Sequence, residues 1–132
     1  NLKTQIQLEL FEDRTAPLAS LELKNLLKLV GFEGQGLKTA WAVVMTESNA
    51  RPKAHNSNTR TGDNSYGLFQ INMIDDLGPD RRTKFDLESN AELFNPVKNA
   101  EIAYYMTSGG DNWSSWKGIT PKTKEWMLKF PK

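Results

Sequence analysis

The 132-residue chain is predicted to be α+β and mainly α-helical, with a small β-hairpin lobe placed to form one wall of a cleft. Three observations predict this. Apolar residues recur at helical spacing in three separate stretches: Leu23, Leu26, Leu27 and Val30; Leu37, Ala40, Trp41 and Val44; Val97, Ala100, Ala103 and Tyr104. Residues 55–64, rich in Asn, Ser, Thr, Gly and Asp, carry turn chemistry between the second stretch and the third. The segment SYGLFQIN then alternates as a strand does, with Tyr66, Leu68, Gln70 and Asn72 on one face and Phe69 and Ile71 on the other.

Each element follows in order. Residues 1–19, in which Ile6, Leu8 and Leu10 alternate and Pro17 interrupts, read as an N-terminal arm, a short strand or the end of a linker; residues 20–132 form the folded domain. Ser20 is placed to cap the first helix and Gly31 to stop it. The second helix follows GFEGQG and is expected to end before Pro52, which pushes residue 51 out of the helical region. LGPDRRTKFDLESNAELFNP reads as turns and short helical pieces. Asn95 and Pro96 cap and open the third helix, Gly109 and Gly110 stop it, and Thr120–Pro121 opens a last short helix bearing Trp126. No internal repeat is present.

Composition narrows the function. Lys and Arg number 17 against 16 Asp and Glu, so no phosphate-neutralising charge excess points to nucleic acid. With no cysteine and His55 as the single histidine, a thiol nucleophile, a thiolate metal site and a multi-histidine metal site are excluded. No cofactor or metal is expected. No apolar run approaches the ~18 residues that span a bilayer, so no membrane insertion is expected. No signal peptide is visible and the chain starts at Asn1, which reads as a processed protein or an excised domain, monomeric in isolation.

Glu47 is the residue the pattern singles out. It follows Ala40, Val43 and Val44 by seven, four and three positions and so shares their helix face. Loss of hydration there would raise its pKa, the property a general acid requires. A glutamate at a helix end also commonly points into solvent, and the pattern alone leaves both readings open. His55 reads as a loop residue.

TESNARPKAHNSNTRTGDNSYGLFQIN, followed by NAEIAYYMTSGGDNWSSW, resembles the lysozyme superfamily. It is similar both to animal-type lysozymes and to the lytic transglycosylase-like domains of bacteria and phages, over roughly residues 20–118. The resemblance implies a lysozyme-like catalytic domain acting on peptidoglycan glycan strands, outside the cell or facing the wall, as a phage virion component or an endolysin. It implies Glu47 as the catalytic acid, Ser48 as its hydrogen-bonding support, Gln70 and Asn72 as sugar contacts, and Trp113 as the indole lying against the acid. It also implies that one of the adjacent pair Tyr104 and Tyr105, Tyr104 by preference, reaches the cleft.

The chain departs from that pattern at Ser65, where animal lysozymes carry a second acid just before the Tyr-Gly pair. A retaining hydrolase needs that carboxylate. Asp63, two residues earlier, is a candidate for holding water in an inverting hydrolase. A lytic transglycosylase needs one glutamate only and is the favoured expectation, although the Ala-Tyr-Asn-Ala-Gly motif of many bacterial members is missing. A glycan-binding module without turnover is the third reading.

Overall fold

The computed structural model describes all residues, 1–132. Six α-helices run in chain order: α1 Leu2–Glu9, α2 Ser20–Val30, α3 Gly34–Ser48, α4 Leu77–Lys84, α5 Pro96–Met106 and α6 Pro121–Met127. Between α3 and α4 lies a three-stranded antiparallel sheet of two-residue strands, β1 His55–Asn56, β2 Ser65–Tyr66 and β3 Ile71–Asn72, in the order β1-β2-β3. The expected α+β, mainly helical class is borne out.

α3 is the axis of the molecule. Ala40 to Val44 are consecutively buried, so this helix is enclosed on every side, by α2, α6 and the core that α5 contributes. Leu23, Leu26 and Leu27 of α2 are fully buried against it, each removing apolar surface worth about 1.5–3 kcal/mol. Gly36 of α3 and Gly110, after α5, approach so closely that a β-carbon on Gly110 would stand 3.0 Å from the Gly36 α-carbon. Small residues at both positions let the two segments pack without a gap.

Several elements differ in detail from expectation. The alternation at Ile6, Leu8 and Leu10 is not a strand: α1 buries Leu8 and leaves Ile6 and Leu10 exposed. Arg14 then donates to both carboxylate oxygens of Glu22 at 2.8 Å, fastening the segment between α1 and α2 to α2. Ser20 is the first helical residue rather than the cap; Glu22 instead accepts from the Ala19 amide at 2.9 Å, and Gly31 closes the helix as expected. α3 ends at Ser48, before the reach of Pro52, because Asn49 and Ala50 take left-handed conformations (φ 55° and 61°) that turn the chain back and bury Ala50. His55 belongs to β1 rather than to a loop, where its ring stacks on Tyr66 at 4.3 Å. The caps at Asn95, Pro96, Thr120 and Pro121 stand where the sequence places them.

The largest difference lies at residues 65–72, which do not form one strand. Gly67 (φ 76°) and Gln70 (φ 52°) turn the chain between β2 and β3. Leu68 and Phe69, adjacent in sequence, are thereby both fully buried, which a strand with one face in solvent cannot achieve. A side chain at Gly67 would run into the Leu93 carbonyl and the Asn99 amide, so glycine is required by both conformation and space.

Candidate active site

A groove runs between the sheet lobe and the helical body, with the end of α3 at its floor. Two contiguous cavities, of about 390 and 190 Å³, share Glu47, Asn56, Asp63, Ser65 and Gln70; Trp116 and Lys117 close one end and Arg51 and His55 the other. Residues far apart in the chain meet here because the turn at 67–70 is tied to everything around it. The Ser48 hydroxyl donates to the Leu68 carbonyl at 2.7 Å, with the Val44 carbonyl at 3.2 Å. The Trp116 indole donates to the Phe69 carbonyl at 2.6 Å, and the Phe69 amide donates to Asn99 Oδ1 at 2.9 Å. The Gln70 amide nitrogen donates to the carbonyls of Ala54 at 3.0 Å and Gly67 at 2.9 Å.

Glu47 stands at the last turn of α3, on the line of Val43. The expectation that it shares a buried face needs correction: α3 outruns the core by one turn, so Glu47 opens into the groove while its neighbour Ser48 is buried. Protein nevertheless surrounds enough of the carboxylate to strip part of its hydration. Its pKa is raised above the ordinary glutamate value, first by this desolvation and then by the negative charge of Asp63; Lys117 and Lys122 act weakly in the opposite sense. The group thus holds its proton more tightly than an ordinary glutamate while remaining reachable from the groove.

The other residues singled out by sequence divide into three sets. Glu47, Asp63, Ser65, Gln70 and Asn72 line the groove together. Asp63 accepts from Thr61 at 3.0 Å and lies 3.5 Å from the Ser65 hydroxyl, and Ser65 itself is buried. Asn72 is consumed by the lobe: Oδ1 accepts from the amides of Asn64 and Ile74 at 3.1 Å, and Nδ2 donates to Gly62 at 2.8 Å. Gln70 likewise spends its nitrogen on the backbone, leaving Oε1 as the atom available to a ligand. Ser48 acts from behind, positioning α3 against the turn.

Trp113 and Tyr104 form the third set, and here the structure departs from the expected placement. Trp113 is 6% exposed, donates to the Gly110 carbonyl at 2.8 Å, and lies 6.3 Å from Phe32 and 6.1 Å from Phe69 in stacked geometry. It lines none of the cavities that Glu47 lines. Tyr104 packs edge-on against Phe32 at 5.0 Å and sits over Gly31 and Gly109. The layered rings of Phe32, Phe69 and Trp113 hold these side chains in the core. Trp116, 5.5 Å from Trp113, is the tryptophan in the groove.

Sequence reasoning missed Trp116, Arg51, Lys117 and Asn99. The spacing of NWSSW offers two tryptophans without saying which faces out. Asn99 carried a readable signal: it is a polar residue amid the apolar positions Val97, Ala100 and Ala103, and in the fold it is wholly buried with every polar atom bonded. No cluster of His, Cys, Asp or Glu able to hold a metal ion is present, and no helix is long and apolar enough to cross a membrane. Among known families, the model described as Lysozyme like domain matches residues 24–118. No curated protein matches the chain.

Proposed function

The chain belongs to the lysozyme-like domain family, a family of peptidoglycan-related glycan cleavage, and from that premise we propose that it cuts the β-1,4 bond between N-acetylmuramic acid and N-acetylglucosamine as a lytic transglycosylase. The observation that carries this reading is Glu47: a carboxylate that opens into a polar groove and whose partial desolvation raises its proton affinity. Such a group donates a proton to the glycosidic oxygen as the bond to C1 of the muramic acid breaks. The substrate's acetamido group stabilises the positive charge at C1. Glu47, now a carboxylate, takes the proton of the sugar's 6-hydroxyl as that oxygen bonds to C1. The product is a 1,6-anhydro end, no water is consumed, and Glu47 recovers its proton.

A serine rather than an acid at position 65, in the wall of the groove, supports a mechanism with one carboxylate. A second reading, the inverting hydrolase, is favoured by Asp63, which lines the same groove and whose charge Glu47 senses. The site of action is the cell wall, reached from outside the cell or on lysis.

Mass spectrometry of soluble products from purified peptidoglycan, with Glu47→Gln as control, separates these readings. Glu47-dependent 1,6-anhydro ends are expected, and the variant is expected to lose about 10²–10⁴ in rate while staying folded. Glu47-dependent reducing ends would replace the transglycosylase with the hydrolase and move attention to Asp63. Binding of glycan without any product would favour the module without turnover. Normal turnover by folded Glu47→Gln would remove Glu47 from the chemistry.

A further inference from the structure

We propose that a third cavity, opening from Glu47 toward α6, receives the anionic peptide branch of the glycan strand, so that the protein prefers peptide-bearing strands to unsubstituted ones. The inference rests on the function proposed above and deepens it.

The position of the cavity is the first argument. Its volume is about 320 Å³, and it shares with the groove only Glu47 and Arg51. Its remaining walls come from the last turn of α3, the residues just after it, and α6; no residue of the sheet lobe contributes. It is therefore a side chamber that meets the groove at the carboxylate.

Its chemistry differs from that of the groove. Met45 and Trp126 supply apolar walls, Asn49 supplies an amide, and Arg51 and Lys122 supply two cations. Apart from Glu47 no acid lines it. The Arg51 Nε donates to the Ser48 carbonyl at 2.8 Å, which pins the guanidinium beside the end of α3. Neither Arg51 nor Lys122 is held by an acidic side chain, since the one ion pair of the protein is Arg14–Glu22. On the lobe side, by contrast, Asp63 adds a second negative charge near Glu47, so that the groove's two cations, Arg51 and Lys117, face two acids where the chamber's face one.

Substrate chemistry supplies the match. The muramic acid whose C1 reacts carries on C3 a lactyl ether, and through it a short peptide with free carboxylates and small apolar side chains. A branch on the reacting sugar must leave the groove beside Glu47. The chamber opens there, offering cations to the carboxylates and an apolar wall to the side chains.

The test compares initial rates on soluble glycan strands of matched length, one preparation bearing stem peptides and the other stripped of them by an amidase. Wild-type kcat/KM is expected to favour the peptide-bearing strands. Lys122→Glu, a change at an exposed position compatible with folding, is expected to lower that preference by about fivefold or more. Arg51→Gln is expected to lower it in the same direction. Any effect of Lys122 on the proton affinity of Glu47 is common to both substrates and cancels in the ratio. A wild-type preference near one, or a preference unchanged in both variants while both strands are still cleaved, overturns the inference and leaves the role of Glu47 standing. Failure of the wild type to cleave either strand overturns both.

Discussion

Two segments meet beneath the groove, and they are built in opposite ways. α3 satisfies its own backbone and is held by apolar side chains buried on all sides. The turn at 67–70 has almost no regular structure, and its polar backbone is satisfied by side chains from three other parts of the chain: Ser48, Asn99 and Trp116. The helix contributes the carboxylate and the turn contributes the opposite wall. The contrast teaches that the helix tolerates conservative repacking, whereas the turn depends on individual polar atoms for which no substitute is at hand.

Breaking the turn at Asn99 is the sharpest way to test that contrast. Asn99→Ala removes the donor to the carbonyls of Tyr66 and Leu93, both at 2.9 Å, and the acceptor for the Phe69 amide. Leaving these groups unpaired in the interior is expected to cost about 3–5 kcal/mol in chemical denaturation. A matched change within the helix, Val43→Ala, is expected to cost less, about 1–3 kcal/mol. A reversed order would mean that the turn is held by its apolar residues rather than by its hydrogen bonds.

The joint between the two regions carries the next effect. Ser48→Ala unties α3 from the Leu68 carbonyl and is expected to destabilise by about 1–2 kcal/mol. Because Glu47 and the turn then lose their fixed spacing, kcat is expected to fall more than stability alone explains, with KM little changed. Folded Ser48→Ala with undiminished kcat would show that the spacing is set elsewhere.

The smallest effect concerns pH. Glu47 has a folded-state pKa above its unfolded value near 4.5, so the folded state binds the proton more tightly than the unfolded state does. Its ionisation therefore lowers stability as pH rises from that unfolded value through the folded one, and the penalty is complete above the folded value. Glu47→Gln is expected to be as stable as wild type below the window and more stable above it, by under about 1 kcal/mol because the side chain keeps contact with water. Denaturation midpoints of the two proteins across pH 3–8 measure this. A wild type that gains stability relative to Glu47→Gln with rising pH would mean that the cations Lys117 and Lys122 dominate the carboxylate's surroundings.

Much of the helical framework was legible because its signals are local. The apolar spacing of α2, α3 and α5, the cap at Asn95 and the stop at Gly31 each depend on a few neighbouring residues; α5 ends at Met106, ahead of the expected stop at Gly109 and Gly110, because the left-handed turn already begins at Ser108 (φ 52°). α1 is not legible in the same way, because three alternating apolar residues fit a strand as well as an exposed helix. The run SYGLFQIN hides its turn for a related reason: alternation describes the residues, and only the left-handed Gly67 and Gln70 reveal that the chain turns.

The fold class, the family and the position of Glu47 at the end of a buried helix are all readable from the chain's linear order, since periodicity and short motifs are properties of adjacent residues. Long-range packing sets the rest: Glu47 opens into a groove, Trp116 rather than Trp113 lines it, the Asn72 amide is spent on the lobe, and two cations flank a chamber beside the carboxylate. Each of those depends on which side chain reaches which distant carbonyl or cavity first. Packing settles that competition across tens of residues, and no local pattern encodes it.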